Sequence, residues 1–399
     1  MAGGPSITPP ARTTALTALG WGFYLAVSWT WVIGMILPAL LLRDFGWWAL
    51  AVFLAPNAIG AALMGSVLKD AKAAQRLRHT HDKAVRRFSM VTIAFHLYVL
   101  GAIGLSVEGF VSINGQPGVL ILATVLAVVL LSVRRWLMTA LLVWLCSLGL
   151  AIAYAITESA PVLDDPEIFA SMPPTDLWLL MPVVVFGFAL CPYLDATFLR
   201  ARASMTPMAG RLGFAFGFLV PFVVMIGFTV LYSTAIVAGA TQAWLLVLAH
   251  LALQGGFTLA VHLRESKLTV AQRGITLGLT IAALAAVWSL PSGPLEWADG
   301  MHAWEVVYRL FMAAYGLFFP AYVLFAMVPT ALGMGALPKA GRALTGSTIA
   351  VALPLYGLGF IARQEQWLPL AFGIVLAGAF GTFIMRRRTA SRTNEASDG

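Results

Sequence analysis

The chain has 399 residues, 60% of them hydrophobic and only 11% charged. A soluble domain carries about a quarter charged residues, so this composition excludes an ordinary soluble enzyme and points to a chain solvated by lipid. The formal charge of +8 does not mark a nucleic-acid binder, because Lys and Arg sit in short loops and tails rather than along one soluble face.

A helical span needs about 20 mostly apolar residues. Twelve such segments can be drawn, at approximately 20–42, 47–67, 88–111, 118–133, 135–156, 177–199, 211–238, 243–263, 273–290, 303–330, 344–361 and 366–385. The fold class is an all-α polytopic membrane protein with twelve transmembrane helices. The first apolar run, from about Ala15 to Leu42, is too long for a signal-peptide core and reads as a span that stays.

With residues 1–19 as a cytoplasmic tail, the basic loops 69–87, 134–135, 200–211, 264–273 and 339–342 and the tail 386–399 all fall on the cytoplasmic side. Of the 25 Lys and Arg, only Arg43, Arg309 and Arg363 are left for the other face. That asymmetry fixes the topology and predicts a cytoplasmic-membrane protein with both ends inside.

The first span contains Ser28, Trp29, Thr30, Trp31 and Gly34, with Pro38 beyond. Small and hydroxyl residues let a buried helix leave regular geometry, and the expected break is at Gly34. The second span carries Asn57 behind Pro56. The loop Lys69–Arg87 has the pattern of a short basic amphipathic helix on the membrane surface. His96 lies in the third span. The outer loop 157–176 gathers Glu158, Asp164, Asp165, Glu167 and Asp176 among four prolines and reads as extended or only briefly helical.

The sixth span is interrupted by Cys191-Pro192-Tyr193-Leu194-Asp195. Proline there removes a backbone donor, and an acid at membrane depth usually marks a site or pathway. The alternative for Asp195 is an ion pair with Arg200 or Arg202 at the cytoplasmic end. The eighth span carries His250, Gln254, Thr258 and His262 at steps of four, one polar stripe that lines a cavity or joins helices. The tenth opens with Glu305 and Arg309, one turn apart, as an ion pair at the outer mouth and a candidate gate, followed by Tyr308, Tyr315 and Tyr322. From Arg386 to Gly399 the chain is polar and should be disordered.

Cys146 and Cys191 both lie in apolar runs and read as inert thiols, not a disulfide or metal pair. No Walker-type loop, HExxH, GxSxG or CxxC occurs, so neither ATP-driven pumping nor hydrolysis has a motif to rest on, and no enzyme activity is expected. An intramembrane enzyme would need Asp195, His250 and His262 to converge within hydrogen-bond relay distance.

The stretch SWTWVIGMILPALLLRDFGWWALAVFLAPNAIGAALMGSVL, followed by KAAQRLRHTHDKAVRRFS, and the later FALCPYLDATFLRARA resemble the leucine-transporter-fold secondary transporters, closest to the sodium:solute symporters. The resemblance covers about the first 90 residues and 180–235. It implies an inverted-repeat core of helices 1–5 (20–156) and 6–10 (177–330), with two C-terminal helices in 331–385. It implies that 27–34 and 190–195 line the substrate site: Ser28, Trp29, Thr30, Trp31, Gly34, Cys191, Pro192, Tyr193 and Asp195. The symporters use a hydroxyl pair on the eighth helix for sodium. Here that helix offers only Thr258, so a proton carried by Asp195 or His250, with Gln254 and Thr258 alongside, stands beside sodium as the coupling ion.

The reading is an ion-coupled symporter of a small polar or aromatic organic solute, working in the bilayer without cofactor, metal or nucleic acid. Substrate and oligomeric state stay open. The alternatives are a major-facilitator-type permease, whose loop signature is not met at Gly65–Asp70, and a non-transport membrane sensor or scaffold.

Overall fold

A computed structural model of the chain describes residues 11–106, 112–113, 116–158, 169–239, 241–291, 293–334 and 337–395. Asp164, Asp165 and Glu167 of the expected acidic loop lie outside them. The regular structure of the described residues is helical apart from two dipeptide strands, Ser112–Ile113 and Gln116–Pro117, paired antiparallel, and a single bridge between Leu295 and Met301.

In chain order the helices are α1 (Ala11–Trp29), α2 (Val32–Phe45), α3 (Trp47–Val67), α4 (Ala71–Thr80), α5 (Asp82–Ser106), α6 (Gly118–Leu131), α7 (Trp136–Thr157), α8 (Pro174–Leu190), α9 (Ala196–Ala203), α10 (Pro207–Leu219), α11 (Pro221–Leu231), α12 (Ser233–Ala238), α13 (Trp244–Ser266), α14 (Val270–Ser289), α15 (Ala303–Ala313), α16 (Phe319–Tyr322), α17 (Val328–Ala331), α18 (Lys339–Tyr356) and α19 (Leu368–Glu395).

Among the described residues, nine helical segments are long and apolar enough to cross a membrane, and α1 with α2 makes a tenth, bent by 61°. The remaining two expected spans fall on α5 and on the shorter apolar α6. The chain is an all-α polytopic membrane protein. The expected loop helix is present as α4, started by Asp70, whose carboxylate accepts the Ala73 N–H at 2.7 Å. That bond holds the Asp70 carboxyl below its ordinary range.

Span α13 is the hub, with 78% of its apolar window buried against 17% for the peripheral α14. Where α10 crosses α1, a Cβ on Gly217 would lie 2.6 Å from the Gly22 carbonyl oxygen, so this helix pair needs glycine to approach.

Proline sets the irregularities. Pro221 opens α11 and divides the seventh span at Val220. The tenth span winds into π-turns at Ala314–Phe318 and Val323–Met327, just ahead of Pro320 and Pro329. Pro329 leaves the Phe325 carbonyl without its helical donor, and the Arg386 guanidinium supplies one at 3.2 Å. Instead of stopping near 385 and giving way to a disordered tail, α19 continues to Glu395. Basic residues near a helix C-terminus favour that continuation.

Candidate functional site

The first span does break, though not at Gly34. Helix α1 ends at Trp29 and α2 starts at Val32, leaving Thr30 and Trp31 between them, while Gly34 lies inside α2. The reason is visible in the backbone donors. Pro38 cannot donate to the Gly34 carbonyl four residues earlier, but Thr229 Oγ1 of α11 donates to it at 2.9 Å. Tyr232 on the same side donates to the Met35 carbonyl at 2.8 Å, and Tyr308 to that of Val32 at 3.2 Å. The part of the helix that sequence marked as weak is therefore splinted, and the chain opens one turn earlier.

The sixth span breaks where expected. Helix α8 stops at Leu190, Cys191–Leu194 form a single tight 3-10 turn, and α9 restarts at Ala196. Asp195 serves as its N-cap, with Oδ1 accepting from the Thr197 amide at 2.7 Å and lying 2.7 Å from Thr197 Oγ1. Arg200 and Arg202 are not its partners. Arg202 is buried and donates to the Leu68 and Met205 carbonyls instead. The two breaks meet, since Thr197 Oγ1 is 3.3 Å from Ser28 Oγ.

Between the breaks and the tenth and eleventh spans lies an apolar cavity of about 30 Å³, the space of roughly one water. Trp29, Trp31, Leu37, Cys191, Tyr315, Tyr356 and Phe360 form its walls. Of the nine expected substrate residues, Trp29, Trp31 and Cys191 line this cavity, whereas Ser28, Thr30, Gly34, Pro192, Tyr193 and Asp195 do not. The tryptophans are fixed: Trp29 Nε1 donates to Asn57 Oδ1 at 2.6 Å, and Trp31 Nε1 to the Ser28 carbonyl. Pro320 can donate to neither the Tyr315 nor the Gly316 carbonyl, and Cys191 Sγ supplies the Tyr315 oxygen at 3.3 Å.

Behind Trp31, on the side of the sixth-span break, is a buried acid–imidazole pair. Asp195 Oδ2 is 3.8 Å from His262 Nε2, both side chains are 0% exposed, and neither atom has a hydrogen-bond partner. The His262 ring packs edge-on against Trp31 with centroids 5.6 Å apart, and its Nδ1 lies 3.2 Å from Ser89 Oγ. His96 accepts from the Val32 amide through Nε2 at 3.4 Å, so its Nδ1 carries the proton toward the Thr92 carbonyl at 2.8 Å. Along α13, Thr258 Oγ1, Gln254 Oε1 and both His250 nitrogens are also buried without partners. Gln254 is anchored by Ser147 Oγ at 2.9 Å. His250 does not join the pair. It lies three helical turns from His262, about 18 Å along the axis, between Phe228 and Tyr232. The three groups an intramembrane enzyme would require do not converge.

At the opposite end of the cavity, Glu305 and Arg309 belong to a larger assembly than a helical pair. Arg43 holds Glu305 with two bonds of 2.6 and 2.7 Å and Asp44 with a third of 2.8 Å. Arg309 bonds Glu305 at 2.8 and 3.0 Å and Asp44 at 2.9 Å. Arg363 reaches Asp44 at 3.1 Å and Asp299 at 3.2 Å. Three arginines thus meet three carboxylates, and the arginines are the three that the loop-charge pattern leaves for the outer face. The network ties α2, α15 and the turn after α18. Arg309 also lies 5.1 Å from the ring of Phe360, a wall of the cavity. Sequence reading found Glu305 and Arg309 but not Asp44 or Asp299, although the scarcity of basic residues on this face was a signal for their arginine partners.

No protein-family model matches the chain, and no curated protein does. Among solved structures, the chain is similar to a manganese transporter of Eremococcus coleocola, crystallised with an aromatic bis-isothiourea substituted compound. The likeness has a TM-score of 0.55 at 14% identity and covers 96% of this chain and 97% of that one. It shows a shared fold over nearly the whole length.

Proposed function

We propose that this protein is an ion-coupled secondary transporter that carries a small organic solute with an aromatic or apolar body by alternating access. The observation that carries the reading is the small apolar cavity at the level of two facing helix breaks, with a charge network at one end and a buried acid–imidazole pair at the other. Discontinuous helices at matching positions of two halves are how many transporters build a central site. Both the first and sixth spans are broken here, which favours an inverted-repeat core of spans 1–5 and 6–10 over a major-facilitator arrangement or a scaffold. Spans 1, 2, 6 and 7 would rock against 3, 4, 8 and 9.

In this reading Trp29, Trp31, Tyr315 and Phe360 sandwich the body of the solute once the cavity, now the size of about one water, has widened to admit it. Arg43, Asp44, Glu305, Arg309 and Arg363 form the outer gate. Asp195 and His262 share the coupling proton, and Trp31, which touches both His262 and the cavity, links solute occupancy to that proton. Gln254, Thr258 and His250 extend the polar file along α13. In this reading the chain sits in the cytoplasmic membrane with both termini inside, as the loop charges indicate.

A second reading takes its cargo from the manganese transporter that shares the fold. Among the described residues, however, no group of three His, Cys, Asp or Glu side chains is placed to hold a metal ion, and the cavity walls are apolar. The organic solute is therefore favoured. The test is a ligand screen by thermal shift, with uptake into proteoliposomes under separate sodium and proton gradients. An aromatic hit whose uptake follows the proton gradient supports the reading. Stabilisation by Mn²⁺ with metal uptake, or uptake indifferent to both gradients, overturns it.

A further inference from the structure

On the face that carries the basic loops, α1, α9, the start of α7 and the end of α13 line a second and larger cavity, open on one side, of about 500 Å³. Four arginines border it: Arg134 and Arg135 from the turn between α6 and α7, Arg200 from α9, and Arg264 from α13. Their only acidic companion in the wall is Glu265, and Glu265 is already engaged by Arg78 at 3.6 Å and Arg264 at 3.8 Å. Arg264 is also oriented, lying 4.7 Å from the Trp136 ring and donating to the Val133 carbonyl at 3.3 Å. Among the described residues no carboxylate comes within ion-pair distance of Arg134, Arg135 or Arg200. The remaining titratable group facing the space is Tyr24, a neutral phenol. The cavity therefore holds a strong excess of positive charge, in guanidinium groups that suit the bidentate geometry of a phosphate.

A second observation concerns what would trail from that phosphate. Met138 lines the cavity and is 55% exposed. Leu142, Leu145, Ile152 and Ile156 continue from it along one face of α7, all exposed. Helical spacing makes these residues a continuous apolar track that begins at the arginines and runs up the lipid-facing surface.

We infer that this cavity binds the headgroup of an anionic phospholipid, its phosphate held by Arg135, Arg200 and Arg264 and its acyl chain lying on the α7 track. Basic pockets between transmembrane helices take lipid headgroups in this way. The site is independent of the transport reading and would stand if no solute were carried. Because its walls include α1 and α9, the inner halves of both broken spans, lipid occupancy would clamp them together.

The test is native mass spectrometry of the full chain in detergent, titrated with phosphatidylglycerol, phosphatidylcholine or free glycerol phosphate. The expected result is a saturable phosphatidylglycerol adduct that phosphatidylcholine does not form. R135Q/R200Q should weaken it roughly thirtyfold and R200Q alone about fivefold, the loss per cation expected near a membrane surface. The pair K72Q/R273Q removes the same charge elsewhere on the basic face and should change it less than about twofold. M138Q/L142Q should weaken lipid binding with the charges intact. Equal losses from both charge pairs would overturn the site in favour of general surface attraction. Glycerol phosphate binding as tightly as the lipid would overturn the lipid assignment in favour of a soluble phosphate.

Discussion

Replacing Glu305 by Gln removes one negative charge from the buried part of a network in which three arginines balance three carboxylates, of which only Asp299 is exposed. Glu305 is 1% exposed and accepts four charge-assisted bonds, two from Arg43 and two from Arg309. Breaking a buried pair on one side costs about 3–5 kcal/mol, because the partner keeps its desolvation penalty. Arg43 is 20% exposed and keeps Asp44, so the lower end, about 3 kcal/mol, is expected. The assay is equilibrium unfolding in mixed detergent, with R86Q as reference. Arg86 pairs with Asp82 at 2.8 Å and donates to the Lys267 carbonyl at 2.9 Å on a partly exposed surface, where such a pair contributes about 1 kcal/mol or less. The double variant E305Q/R309Q leaves two arginines against two acids and should recover at least about 1 kcal/mol relative to additivity. If E305Q unfolds with R86Q, or the double variant is strictly additive, the network is not the coupled unit described.

Thr229→Val keeps the shape but leaves the Gly34 carbonyl without a donor; a loss of about 1–3 kcal/mol in the same assay is expected, and wild-type stability would show that α2 needs no splint. Asp195→Asn should abolish uptake driven by a proton gradient while leaving solute exchange at equilibrium within a few-fold of wild type; unchanged proton-driven uptake would remove Asp195 from the coupling role. Glu158 caps the far end of α7 against the 241–243 turn, and the Thr241 hydroxyl, then the Gln242 and Ala243 amides, hold its carboxyl below the ordinary 4.5. A depressed carboxyl contributes its stability above pH 4.5 and loses it as pH falls below that toward the folded value. Glu158→Gln should therefore narrow the stability gap from wild type as pH is lowered through that window, and a gap constant with pH would contradict the assignment.

Hydropathy made the spans legible because each one must satisfy its own backbone and bury or expose an apolar surface. The short α4 and the break at Cys191–Leu194 were legible for local reasons, a charged amphipathic run and a proline. The first break was misplaced because its outcome is decided at long range: Pro38 weakens the bond at Gly34, and Thr229, nearly 200 residues later, repairs it. The charge network has the same character. Arg43 and Asp44 look like the ordinary polar end of a span until Glu305, Arg309 and Arg363 are brought to them. The His262–Asp195 pair brings together two of the three residues whose convergence an intramembrane enzyme would need, while His250, on the same stripe as His262, proves remote from both.

Alternating access requires the cavity between the breaks to open in turn to either side of the membrane. Cys191 lines that cavity and is 2% exposed, whereas Cys146 is exposed. In a C146S background, a membrane-impermeant thiol reagent applied separately to right-side-out and inverted vesicles reports access to Cys191 alone. Slow labelling from both sides is expected, with E305Q accelerating labelling from the outer side. Labelling from one side only, or from neither over hours in both variants, would contradict alternating access at this site.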